Sequence, residues 1–192
     1  IDRNMLQLVE RNNFGRMKRF RMHDILRELA VDLCQKNCFG VIYEDKCGGS
    51  LQMDGRRLVM HKVKKDIQQS FSSMHHLRTV ITLDGCMPSF TLLPLLCKKS
   101  RYMTVLELSG LPIEKLPDAI GDLFNLRHLG LRDTNVKVIP KSVEKLSNLL
   151  TLDLHGSEIH ELPSGIGKLK KLRHLFAEKI IDPDWREIQC CS

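Results

Sequence analysis

A histidine followed at once by an aspartate, His23 and Asp24, sits in the stretch FRMHDILRELAVDL, where an extended run gives way to apolar residues at helical spacing. Those two residue types allow a catalytic pair, a metal ligand, a helix cap or a contact to a phosphate. Ile25, Leu26, Leu29 and Leu33 make one apolar stripe, with Arg27, Glu28 and Asp32 on the other side, so the spacing predicts a helix from Asp24 to Lys36. Asp24 then falls where an N-cap belongs, its carboxylate placed to accept from the first unpaired amides. Ahead of it, Leu6 to Glu10 and Lys18 to Met22 are short extended runs joined by RNNFGRM, whose Asn and Gly supply turn chemistry, and a hairpin is expected there. A histidine N–H beside a helix N-terminus suits an anion, because imidazolium and helix dipole both favour negative charge.

Other reactive side chains are present without a matching pattern. The seven cysteines, Cys34, Cys38, Cys47, Cys86, Cys97, Cys190 and Cys191, are odd in number and irregularly spaced, which reads as reduced thiols. Cys34, Cys38 and Cys47 with His23 lack the second close ligand pair that structural zinc usually shows, so no metal is expected. Cys190 and Cys191 do not form the prenylation signature. His160 beside Glu161 and His155 near Asp153 fall inside a repeat that explains them by strand geometry. No nucleophile elbow or metal-binding helix motif accompanies them, and no catalytic residue is assigned.

The 192 residues are 42% hydrophobic, enough for a core, and the longest apolar runs, such as FTLLPLLC, are too short to span a bilayer. No charged-then-apolar leader opens the sequence, so a soluble cytoplasmic chain is expected, and its start at Ile1 suggests a piece of something longer. The net charge of +7 gathers at Arg16–Arg21, Arg56–Lys65, Lys98–Arg101 and Lys168–Arg173, and would favour anionic partners. The 24–36 helix itself carries Asp24, Glu28 and Asp32 against Arg27 and Lys36, a balance that disfavours reading DNA.

Self-comparison of the second half finds a fixed period. Units of 23 residues begin at Met103, Leu126 and Leu149, and a fourth starts at Leu172. Leu106, Leu129 and Leu152 repeat in step, as do Leu108, Leu131 and Leu154, then Ile113, Val136 and Ile159, then Leu116, Ile139 and Leu162. Pro117, Pro140 and Pro163 follow, and after them Ile120, Val143 and Ile166, and Leu123, Leu146 and Leu169. This is the L-x-x-L-x-L pattern of leucine-rich repeats, in which alternating leucines turn inward from a short parallel strand and the proline ends the extended segment. The predicted fold class is α/β, a leucine-rich-repeat solenoid with a parallel inner sheet. Earlier coils are expected at LRTVIT, from Leu77, and at RRLVMH, from Arg56, giving roughly six strands and an inner sheet about 25 to 30 Å wide. Thr134 and Ser157 stand in the column that can hydrogen-bond between coils; Leu111, in the same column, cannot.

Positions between the leucines must face solvent on the inner sheet. They form the columns Val105, His128, Thr151 and His174; Glu107, Gly130, Asp153 and Phe176; and Ser109, Arg132, His155 and Glu178. Mixed charge with small residues suits protein recognition better than a single small molecule. After Phe176 the pattern fails, with no polar cap in AEKIIDPDWREIQCCS, and Trp185 is expected to pack on the last coil.

The sequence RMHDILREL, a spacer containing FGVIYEDK and RRLVMH, and 23-residue repeats each with LP resemble the plant nucleotide-binding leucine-rich-repeat disease-resistance proteins of the coiled-coil class. The likeness extends over nearly the whole chain. It implies a winged-helix end at 1–36 preceding the solenoid, a linker at 37–54, repeats at 55–180 and an irregular or truncated tail at 181–192. It also implies that Met22, His23 and Asp24 are the Met-His-Asp motif, with His23 on the β-phosphate of ADP and Asp24 fixing the helix start. By the same resemblance the partners are proteins, a pathogen effector or a guarded host protein, together with the nucleotide-binding module of the same polypeptide. The parent location would be cytoplasmic, nuclear or peripheral to a membrane. No G-x-x-x-x-G-K-[ST] occurs, so this chain is expected to bind no cofactor itself, ADP or ATP being implied only for a longer parent. A generic repeat adaptor and a winged-helix nucleic-acid module using the basic wing are the alternative readings.

Overall fold

A computed structural model describes residues 6–11, 17–36, 41–43, 55–61, 75–83 and 92–177. The chain divides into two units, Ile1–Phe39 and Gly40–Ser192.

In the first unit, β1 (Leu6–Arg11) and β2 (Met17–Met22) form an antiparallel pair, with Leu6 opposite Met22 and the register shifting on either side of Glu10. One residue later α1 (Asp24–Lys36) begins. The His23 carbonyl accepts the Arg27 N–H at 2.9 Å, so His23, and not Asp24, holds the cap position. Asp24 instead opens the first turn, where its charge complements the helix dipole. The α1 stripe is uncovered by the described residues: Ile25 is 70% exposed, Leu29 50% and Leu33 47%. A two-stranded ribbon and one helix offer too little apolar surface to enclose it.

The second unit is built on a seven-stranded parallel sheet in strict sequence order: β3 (Val41–Tyr43), β4 (Arg57–His61), β5 (Thr79–Leu83), β6 (Val105–Glu107), β7 (His128–Gly130), β8 (Thr151–Asp153) and β9 (His174–Phe176). Roughly six strands were expected; the addition is β3, which pairs Val41 with Leu58 although 37–54 reads as a linker. A run as short as Val-Ile-Tyr has no periodicity by itself, and only pairing with β4 makes it a strand.

Leu58, Val80, Leu106, Leu129 and Leu152 stand in one row across neighbouring strands, each with no exposed surface. The sheet ladder continues past the strands, with the N–H groups of Leu108, Leu131 and Leu154 donating to Gly130, Asp153 and Phe176 of the following coil at 2.7 to 2.9 Å. The return arcs are 3₁₀ segments, Asp118–Asp122, Lys141–Lys145 and Ser164–Lys168, each entered from a proline. Their geometry follows from a spacing of three: Pro117, Ile120, Leu123 and Leu126 recur every third residue, and the N–H groups of Ile120, Leu123 and Leu126 donate back to Pro117, Ile120 and Leu123. The longer coil between β5 and β6 uses an α-helix instead, α2 (Leu92–Lys99), with Leu93, Leu96 and Cys97 buried; Pro94 is tolerated in its first turn, where no intrahelical N–H is needed.

Bonds between coils come from an unexpected column. Thr134 and Ser157 donate within their own turns, to Leu131 at 2.7 Å and Leu154 at 2.6 Å, because the left-handed turn beside them brings the carbonyl three residues back within reach. Asparagines just before the strands bridge the later coils, Asn125 to the Arg101 carbonyl at 3.0 Å and Asn148 to the Phe124 carbonyl at 2.8 Å, and threonines bridge the earlier ones, Thr104 to the Arg78 carbonyl at 2.9 Å and Thr82 to the Glu107 carbonyl at 3.1 Å.

Leaving β6, β7 and β8, the backbone turns left-handed at one register position, Gly110, Asp133 and Gly156, with φ of 73°, 53° and 67°. A Cβ at Gly110 would meet nothing within 4 Å, so only its conformation penalises a side chain. Gly110→Ala is therefore expected to cost about 1 kcal/mol in urea unfolding. Asp133→Gly should stay within about 0.5 kcal/mol of the parent, since relief of the turn offsets the added chain entropy. A comparable loss in both variants would contradict a left-handed turn at this position.

Candidate functional site

The sheet register assembles the solvent-facing columns. Val105, His128, Thr151 and His174 are direct neighbours across β6 to β9, and so are Glu107, Gly130, Asp153 and Phe176. The face continues into earlier coils through half-buried Val59 and Ile81, which pair in register with Glu107, and through Leu83, 44% exposed. Alternation in RRLVMH and LRTVIT is the signal that identifies these additional positions.

At the middle of the face one carboxylate organises two neighbours. The Ser109 N–H donates to Oε1 of Glu107 at 3.1 Å, the Ser109 hydroxyl donates to the same oxygen, and His128 Nε2 lies 2.8 Å from Oε2. Space for this comes from the next strand, because a Cβ on Gly130 would lie 2.2 Å from both carboxylate oxygens. Burial pushes the Glu107 pKa up, but the hydrogen bonds from His128 and Ser109 outweigh it and hold the carboxyl below its ordinary value. The hydrogen bond to Glu107 raises the His128 pKa against its own burial, with Asp153 adding a further favourable charge.

Serine and histidine both bind the carboxylate and make no bond to each other, so the trio does not form a serine–histidine–acid relay. Burial and Asp122 push the Cys97 thiol to about 12, which leaves it protonated at neutral pH.

One coil on, the His155 N–H donates to Asp153 at 3.0 Å, repeating the local carboxylate turn of Glu107 and Ser109. His174 and Phe176 stack with ring planes 6° apart and centroids at 6.1 Å, and Phe176 is 45% exposed. Arg132 turns to Asp133 at 3.3 Å on the edge where the strands end. Met22, His23 and Asp24 are all exposed at the β2-to-α1 junction of the other unit. Among the described residues no group of three or more His, Cys, Asp or Glu is arranged to hold a metal; Cys38 and Cys47 lie outside them. Glu178 and Trp185 are outside them too.

The His128–Glu107 pair contributes most stability between the ordinary carboxylate and imidazole ranges. Above the raised His128 value its positive charge is lost, and below the lowered Glu107 value the carboxylate protonates. Glu107→Gln is expected to bring the His128 titration back toward 6.5, read by NMR of the ring protons. Gly130→Ala should do the same by displacing the carboxylate, with a stability loss below about 1 kcal/mol that is greater near pH 5.5 than at pH 8. An unchanged His128 midpoint in both variants would rule out the contact.

A family model described as a leucine-rich repeat region matches residues 76–187. The disease resistance protein RPM1 of Arabidopsis thaliana is 36% identical over 66% of this chain and 14% of its own length. An RPP13-like disease resistance protein 3 from the same plant is 29% identical over 76% of this chain and 18% of its own. The chain thus spans less than a fifth of the length of these relatives. Among solved structures, a Leptospira interrogans leucine-rich-repeat protein superposes with a TM-score of 0.53 at 22% identity, covering 64% of this chain and 31% of that one. The leucine-rich-repeat ectodomain of the Arabidopsis membrane receptor kinase GASSHO1/SCHENGEN3 gives 0.51 at 23%, covering 66% and 15%. These two likenesses carry the fold alone. With the repeat model matching more than half its residues, and with plant disease-resistance proteins as its curated relatives, the chain belongs to the leucine-rich-repeat region family.

Proposed function

We propose that the chain is the repeat-bearing part of a plant immune receptor, acting by binding proteins and without catalysis. The observation that carries this reading is the registered inner face, where an exposed aromatic stack, paired charges and small residues alternate over four coils in the manner of a protein-recognition surface. Candidate contacts are Val105, Glu107, Ser109, His128, Arg132, Thr151, Asp153, His155, His174 and Phe176. Their partners would be a pathogen effector or a guarded host protein. In the resting receptor, packing of the solenoid on a nucleotide module of the same polypeptide would restrain it. A cytoplasmic location accords with the described residues, in which no helix is long and apolar enough to cross a membrane.

Met22, His23 and Asp24 would report the nucleotide state. The exposed His23, at the cap of a 13-residue helix, has the position and chemistry to meet an ADP phosphate supplied from elsewhere in the receptor. A partner opens such a switch only by binding the open state more tightly than the closed one.

In a full-length receptor, His23→Ala and Asp24→Val should each raise resting activity several-fold; activity equal to the parent in both would refute the sensing role. In the isolated chain, which lacks a phosphate-cradling loop, the His23 ring resonances should not move on adding ADP. Their movement with a micromolar midpoint would refute the dependence on a separate nucleotide module.

A further inference from the structure

The two edges of the sheet treat charge differently. Where the strands end, acids and bases are interspersed and paired: Arg132 with Asp133 at 3.3 Å, and Lys137 with Glu158 at 3.5 Å. Where the strands begin, the described segments 75–78, 100–104, 124–128, 147–151 and 170–174 contain no aspartate or glutamate. They hold His75, His76, Arg78, Arg101, Arg127, Lys170, Lys171 and Arg173.

On this edge the sheet backbone sets arginines side by side. The Arg78 N–H donates to the Arg56 carbonyl at 2.8 Å and the Thr104 N–H to the Arg78 carbonyl at 2.7 Å, so Arg56 and Arg78 occupy matching positions on adjacent coils, about 4.8 Å apart. Like charges so placed repel. Both are exposed, and neither has an ion pair with a described acid. Together with His76 and Tyr102 they line a cavity of about 370 Å³. Every one of these side chains can donate a hydrogen bond, two of them as guanidinium forks that match phosphate oxygens in pairs. A volume in the small-ligand range, a donor-rich lining and positive charge that is paired with no described acid together select a compact anion with several acceptor oxygens.

We propose that Arg56, His76, Arg78 and Tyr102 form a binding site for a phosphate ester, made of residues other than the inner-face columns and the Met22–Asp24 motif. The ligand is a phosphomonoester or diphosphate group, on a free metabolite or a lipid headgroup. The guanidinium forks hold the non-bridging oxygens, and the imidazole and phenol complete the shell.

The test is calorimetric titration of the 192-residue chain with inorganic pyrophosphate at low salt. Saturable binding with a dissociation constant below about 1 mM is expected, weakening as salt is raised. Arg56→Gln and Arg78→Gln should each weaken it at least tenfold. Arg127→Gln, on the same edge outside the cavity, and His23→Ala should leave it within twofold. Cosedimentation with phosphatidylcholine vesicles carrying phosphatidic acid, sensitive to the same two arginines, assigns the source to a lipid headgroup; absence of cosedimentation alongside pyrophosphate binding assigns it to a free phosphate ester. Failure to bind pyrophosphate at 10 mM or an equal loss in Arg127→Gln would overturn the site, as would binding confined to oligonucleotides.

Discussion

A single coil of this solenoid has no interior. The leucines of one 23-residue unit lie on one side of a three-residue strand, and they leave water only when the next coil is laid against them. Stacking is therefore the constraint on which every other feature depends. It places Leu106, Leu129 and Leu152 in one fully buried row, and the parallel hydrogen bonds between β6, β7 and β8 then fix the positions on either side of that row. Burial supplies the driving force, roughly 25 cal/mol per Å² of apolar surface, while the ladder supplies direction.

The same constraint creates three surfaces with different chemistry. The inner face takes the residues between the leucines, so its composition is free of the core and can carry Glu107, His128, Asp153 and the His174–Phe176 stack. The edge where strands end is occupied by left-handed turns and paired charges. The edge where they begin carries asparagine bridges and, in its described segments, a one-signed run of cations. Because one coil contributes once to each surface, a substitution outside the leucine columns can change one of them without touching the stack.

Contacts across coils also explain the departures from simple repetition. Glu107 lies over the neighbouring strand because that strand offers Gly130, and a side chain there would displace it. In the same way Glu144 accepts from the Gly165 N–H and from Lys168, each at 3.1 Å, in space left by the glycine of the following coil. A repeat protein thus builds irregular, site-like clusters from a regular backbone wherever one coil has a glycine and its neighbour a long polar arm. On the entering hairpin unit no such stacking operates, and the stripe Ile25, Leu29 and Leu33 stays exposed.

Periodicity alone determined the solenoid, its buried columns, the residues of the inner face, and the hairpin followed by a helix at His23, since these depend on local alternation and on a spacing that burial enforces in every coil. The tertiary structure decided the rest: the strand at Val41–Tyr43, the α2 return in place of a 3₁₀ segment, the cap at His23 instead of Asp24, bridging by Asn125 and Asn148 instead of by Thr134 and Ser157, and the meeting of Arg56 with Arg78. Apart from the cap and the α2 helix, which are matters of local hydrogen-bond register, each depends on groups distant in sequence, and no pattern within one coil records which atoms the next coil brings within reach.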